Sequence, residues 1–270
     1  IKMIVPFEND TGNIVRKLAR KSLKSEKRRN LMVVIAVALA SCLICFSIVM
    51  ALSTRQIEKN HVEDTYEAVY TKITEEDVSS LKGLDDFSRV GEYYMLAVEP
   101  AEQGYNASYI YCDEETMYIA RDQMKLLEGR LPQKEDEVVV SRYFLSNYGA
   151  DAGIGEKVML SSESFHGEYT VTGIMEGYKE KEVNGTSILL SKEALKGWSG
   201  YDPADYRAYV HFKNEQQMDE TELTARSREI AKEYQLEMPI MNLSYMKFYK
   251  QPVNVSTLAL VAGIAVLVII

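Results

Sequence analysis

The sequence predicts an α+β protein: a membrane helix, an extracytoplasmic domain of two packed βαβ-type halves around a small β-rich insertion, and the start of a second membrane helix. Three observations carry this reading. Residues 31–52 (LMVVIAVALASCLICFSIVMAL) form a 22-residue run without a charge. A helix rises about 1.5 Å per residue and the bilayer hydrocarbon is about 30 Å thick, so the run is long enough to cross. Charge is divided across the run: residues 1–30 hold nine basic and three acidic groups, net +6, whereas 53–257 hold 22 basic and 37 acidic groups, net −15. Short basic flanks stay in the cytoplasm, which sets the N-terminus inside and the acidic body outside. Beyond the run, short alternating stretches and helix-period stretches follow one another, separated by glycine-containing turns.

In chain order, residues 11–29 (TGNIVRKLARKSLKSEKRR) place Ile14, Val15, Leu18, Ala19, Ser22 and Leu23 on one half of a helix. Arg16, Lys17, Arg20, Lys21, Lys24, Lys27 and Arg28 fall on the other half. A basic amphipathic helix before a membrane span is expected to lie in the cytoplasmic interface against anionic lipid, the alternative being a plain basic flank that only sets orientation. A nucleic-acid arm does not fit beside a span. Cys42 and Cys45 form a C-x-x-C inside the apolar run, where two small apolar side chains on one helix face are the expected reading. Cys112 stands alone outside, so no disulfide framework supports the body.

After the span, Tyr66–Ile73 alternates as a strand. Thr74-Glu-Glu-Asp77 then opens a helix with a capping-box pattern, with Val78, Leu81 and Leu84 on its apolar face. Val90–Val98 is a second strand. A related unit follows near the other end: a strand at Tyr206–Phe212, a helix at Asp219–Tyr234 and a strand at Leu236–Ile240. Between them lie short strand stretches at Tyr109–Cys112, Glu137–Val140, Lys157–Leu160, Tyr169–Ile174 and Thr186–Leu190. All 18 tyrosines follow the first span; tyrosine suits binding surfaces as well as strands, and strand propensity is the expected cause. The aromatic–lysine mixture of Tyr245–Pro252 reads as a membrane-interface belt. The apolar run 258–270 would reach only about 20 Å as a helix. It is therefore expected to be the start of a second membrane helix in a longer polytopic protein.

The sequence offers no catalytic constellation. It has no G-x-x-x-x-G-K-[ST] loop for ATP, no H-E-x-x-H and no G-x-S-x-G. His61, His166 and His211 stand far apart without metal-ligand spacing. His166 follows Ser-Glu-Ser-Phe too closely to build a serine–histidine pair, and a surface loop is expected there. Sequons at Asn106, Asn184, Asn242 and Asn254 matter only in a glycosylating host. No catalytic, cofactor-binding or metal-binding residue is assigned.

Four segments in order carry a family resemblance: Leu127-Glu-Gly-Arg-Leu-Pro132, Glu137-Val-Val-Val-Ser141, Gly153-Ile-Gly-Glu-Lys-Val158 and Tyr169-Thr-Val-Thr-Gly-Ile174. Together they resemble the extracytoplasmic core of FtsX/MacB-like ABC transporter permeases. Lys17-Leu-Ala-Arg-Lys-Ser-Leu-Lys24 and Lys27-Arg-Arg-Asn30 are similar to the start of such permeases from Gram-positive bacteria. The resemblance covers about residues 13–270.

It implies a cytoplasmic helix at 1–30, membrane helix 1 at 31–52, a core domain at 53–255 and the beginning of membrane helix 2 at 256–270. Within the core domain, it implies a porter-like part from about 60–112 and 203–250, with a β-rich insertion at about 113–202. It further implies a multi-pass permease of the bacterial cell membrane. Such a permease would work with a second permease copy or a related one, and with separate cytoplasmic ATPase subunits that bind ATP and Mg. No cofactor is expected in this chain. Peptides, lipoproteins or other envelope substrates are the implied cargo class. A membrane-anchored sensor or binding module without a transport partner is the alternative.

Overall fold

The computed structural model describes residues 11–149, 152–177, 180 and 184–250. The expected second membrane-helix start at 256–270 and the sequon at Asn254 lie outside them. The chain divides into two compact units, residues 1–56 with 253–270, and Ile57–Pro252.

In the first unit, α1 (Thr11–Ser25) is the basic helix read from the sequence, and Ile14, Val15 and Leu18 are all exposed. The helix α2 (Lys27–Val62) contains the apolar run but extends ten residues past it. The extension Ser53–Val62 has neither glycine nor proline, so nothing in it stops a helix. Along the span the hydroxyls of Ser41 and Ser47 donate to the carbonyls of Val37 and Leu43, 2.8 Å each, which satisfies them without a partner helix. α2 is long and apolar enough to cross a membrane.

The second unit is built on one mixed sheet. Its strands are β1 (Ala68–Ile73), β2 (Phe87–Pro100), β3 (Asn106–Cys112), β4 (Met124–Gly129), β5 (Glu137–Ser141), β6 (Lys157–Ser161), β7 (His166–Gly177), β8 (Gly185–Leu190), β9 (Tyr206–Phe212) and β10 (Ile240–Met241). They are ordered β10-β1-β9-β2-β3-β8-β5-β7-β4, with β6 paired to β7. The outer segments of the chain supply β10, β1, β9, β2 and β3; the middle supplies the rest. Parallel pairing of β3 with β8, from Asn106↔Gly185 to Ile110↔Leu189, joins the two sets. The inserted strands thus continue the same sheet rather than standing apart from it.

Helices are α3 (Glu75–Lys82), α4 (Glu114–Ile119), α5 (Arg142–Tyr148), α6 (Lys192–Gly197) and α7 (Glu220–Glu233). α3 and α7 each start in a capping box, Thr74 with Asp77 and Asp219 with Glu222. On one face of the sheet, Val78 and Leu81 of α3 and Leu223 and Ile230 of α7 join the core of Tyr70, Val90, Ala208, Val210 and Phe212. The other face carries Tyr66, Val69, Tyr93, Ile110, Cys112 and Tyr209, in one core cluster with Met117, Ile119, Ala120 and Met124. α4 comes close to β2 because residue 91 is glycine: a Cβ there would lie 2.4 Å from Thr116 Oγ1.

Candidate functional site

The described histidines are not arranged for catalysis. His166 opens β7 and is exposed. His61, near the end of α2, has Nε2 3.2 Å from the Asp122 carbonyl oxygen. His211 on β9 is half-buried, with Nδ1 2.8 Å from Glu67 Oε1 and 3.0 Å from the Thr65 carbonyl oxygen. Donor atoms of Asp64, His211 and Glu215 lie within 4.8 Å of one another, a spacing that admits a metal ion. Their charges are already answered within the protein. Glu215 accepts from Tyr245 Oη at 2.8 Å and pairs with Lys250 Nζ at 3.2 Å. Glu67 is fully buried; desolvation raises its carboxyl pKa against the opposing pull of His211. The His211 imidazole is raised in turn: burial alone lowers it, but the Glu67 carboxylate outweighs that. The network ties β9 and the residues before β1 to the segment that follows β10.

That last segment, Met246–Lys250, winds as a π-type turn. Tyr249 stacks on Tyr245 with ring centroids 5.1 Å apart, and Lys59 Nζ lies 4.8 Å from the Tyr249 ring centre. Arg121 also holds the end of α2, donating to the carbonyl oxygens of Glu63 and Asp64. Both chain segments that enter and leave this unit are therefore anchored by charged and aromatic contacts.

Beside this anchorage lies a cleft of about 530 Å³ on the second sheet face. Ser108 on β3 and Ser187 on β8 are register partners and form a low floor. Tyr66, Tyr93, Met95 and Met124 supply apolar walls, and Glu58 and His61 border it from α2. Asp122 lines this cleft and also a larger neighbouring cavity of about 960 Å³ that includes Arg121 and Lys125. Asp122 Oδ1 is buried without a hydrogen-bond partner among the described residues, and desolvation raises the carboxyl pKa.

The sequence segments singled out above hold the fold together. Gly129 has φ +83°, and a Cβ there would meet the Thr172 carbonyl oxygen at 2.2 Å. Arg130 and Glu137 pair bidentately, and Ser141 caps α5 by accepting from the Phe144 amide at 3.0 Å. Cys112 is buried and burial pushes its thiol well above the ordinary range, which leaves it inert.

The sequence model of the MacB-like periplasmic core domain matches residues 31–228. No curated protein matches the chain. Among solved structures, the chain is similar to the extracellular domain of the ABC-type transporter YknZ from Gram-positive bacteria. Identity is 14%, the TM-score is 0.47, and the match covers 66% of this chain and 100% of that one. It is also similar to the periplasmic region of MacB from Actinobacillus actinomycetemcomitans, at 10% identity and a TM-score of 0.47, over 68% of this chain and 91% of that one.

Proposed function

We propose, from the premise that this chain belongs to the MacB-like periplasmic core domain family, that it couples cytoplasmic ATP hydrolysis to movement of its extracytoplasmic domain. The family role is that of an ABC-transporter permease anchored in the membrane by an apolar helix. The chain is thus a transport component rather than a catalyst.

One observation carries the coupling: α2 is a single uninterrupted helix from Lys27 to Val62. Its far end is built into the ectodomain core, because Val62 is 1% exposed. An uninterrupted helix transmits displacement where a flexible linker absorbs it. Separate ATPase subunits would drive α2 from the cytoplasmic side, a second permease copy or a related one would complete the assembly, and export of or resistance to peptides or other envelope substrates would be the outcome. The net charge of −15 between residues 53 and 257 favours cationic cargo within about a Debye length.

The test is purification of the native full-length protein from its own membranes in mild detergent. A P-loop ATPase in stoichiometric amount supports the reading. A signalling kinase in its place, or no partner, overturns it in favour of a membrane-anchored sensor.

A further inference from the structure

We propose that the cleft floored by Ser108 and Ser187 binds a protonated amine carried on an apolar body. The inference rests on the reading of this domain as the ligand-facing part of a permease, and it names the class of ligand.

The cleft exists because two small side chains sit side by side. Ser108 and Ser187 are direct partners across β3 and β8. Neighbouring positions on that face carry Tyr93, Met95, Ile110 and Leu189. Two hydroxymethyl groups among such residues leave about 530 Å³ open, within the usual size of a small-ligand site. The walls suit an apolar body, and the flexible thioethers of Met95 and Met124 adapt to its shape.

Charge selects the rest of the ligand. The titratable side chains lining the cleft, apart from the tyrosine phenols, are Glu58, Asp122 and His61. Glu58 is half-buried and makes no hydrogen bond or ion pair with any described residue. Asp122 keeps one buried carboxyl oxygen without a hydrogen-bond partner among the described residues. His61 directs Nε2 to the Asp122 carbonyl oxygen rather than to either carboxylate. Among the described residues no lysine or arginine lines this cleft; Arg121, in the neighbouring cavity, donates to the carbonyl oxygens of Glu63 and Asp64, and its charge reaches Asp122 only from that side. Two carboxylates beside apolar walls, on a lining without lysine or arginine among the described residues, complement an ammonium group. An anion of the same shape is repelled, and a neutral analogue gains only the apolar contact. The amine belongs either to a free small molecule or to a lysine beside an apolar residue in a peptide.

The experiment uses the full-length protein in nanodiscs of zwitterionic lipid and titration calorimetry. The probes are 4-phenylbutylamine, 4-phenylbutan-1-ol and a capped phenylalanyl-lysine dipeptide. The inference predicts saturable binding of an amine probe at least about ten-fold tighter than of the alcohol. The double variant E58Q/D122N weakens amine binding by about the same factor, and S108F, which fills the floor, removes it. Single E58Q, on a half-exposed helix turn, keeps the test open if D122N disturbs folding. The tighter of the two amine probes identifies the source. Equal affinity for amine and alcohol, amine binding unchanged by removal of the carboxylates, or no saturable binding overturns the inference. Binding is read without any ATPase, so this result stands apart from the co-purification that tests the permease role.

Discussion

Arg130 grips Glu137 with both terminal guanidinium nitrogens, at 2.8 Å and 2.7 Å, and closes the loop between β4 and β5. The same carboxylate accepts from the Gln133 amide at 2.9 Å. These contacts, led by the Arg130 guanidinium, hold the Glu137 carboxyl at about 2, below the ordinary glutamate value. The folded protein therefore binds this proton more weakly than the unfolded chain. Its stabilisation is complete above about pH 5 and is lost as pH falls from about 4.3 towards 2. Arg130 is half-exposed, so solvent screens part of the effect. E137Q is expected to lower stability at pH 7 by about 1–2 kcal/mol and to flatten the acid limb of a melting-temperature-against-pH curve. An unchanged acid limb would show that the pair does not carry this linkage.

Lys192 joins the middle of the chain to its outer parts. Its ammonium lies 2.6 Å from Glu75 on α3 and 2.6 Å from the nearly buried Glu92 on β2. Among the described residues, removing it leaves Glu92 with only the distant Lys82, at 3.9 Å. K192M is expected to cost about 2 kcal/mol and to lower the thermal midpoint by about 4–8 °C. A K192M midpoint equal to the parent's would mean that the ion pairs contribute nothing net.

Two glycines separate backbone strain from collision. Gly129 and Gly155 both have positive φ, +83° and +89°, but only at Gly129 would a Cβ strike backbone. G155A is expected to cost about 1 kcal/mol through the left-handed conformation alone. G129A adds the clash with Thr172 and is expected to cost about 3 kcal/mol or more, read as a larger loss in urea midpoint. Equal losses for the two would refute the close approach.

Cys112 is 3% exposed on β3, with its thiol raised by burial. A membrane-impermeant maleimide is expected to leave the native protein unlabelled and to react with Cys112 only after denaturant is added. Rapid native labelling would mean that β3 opens locally.

Much of the fold was legible because its signals are local. The capping pattern at Thr74–Asp77 opens α3 as read, and Tyr206–Phe212 is β9 residue for residue. The short helices α4, α5 and α6 did not emerge. Their caps, Asp113, Ser141 and Ser191, are plain in the sequence, but six or seven residues give too little apolar periodicity to detect. Of the expected strand at Leu236–Ile240 only Ile240 is realised, in β10 (Ile240–Met241), where the chain reaches β1. The end of α2 was missed because Ser53–Val62 is polar, although every residue in it tolerates a helix. The cleft is illegible in principle: Ser108 and Ser187 become neighbours only through β3–β8 pairing across the whole insertion. The same holds for Glu67 and His211, distant in sequence and 2.8 Å apart in space.

In the proposed mechanism α2 carries nucleotide-driven motion into the ectodomain. Hydrogen exchange on the full-length protein assembled with its ATPase, with a non-hydrolysable ATP analogue against ADP, tests it most directly. A nucleotide-dependent change in protection is expected at residues 57–66 and 241–250. The substitution T54P, which breaks α2 before it enters the ectodomain, should abolish that change while the ATPase stays bound. Identical exchange in both nucleotide states, or a change that survives T54P, would contradict it.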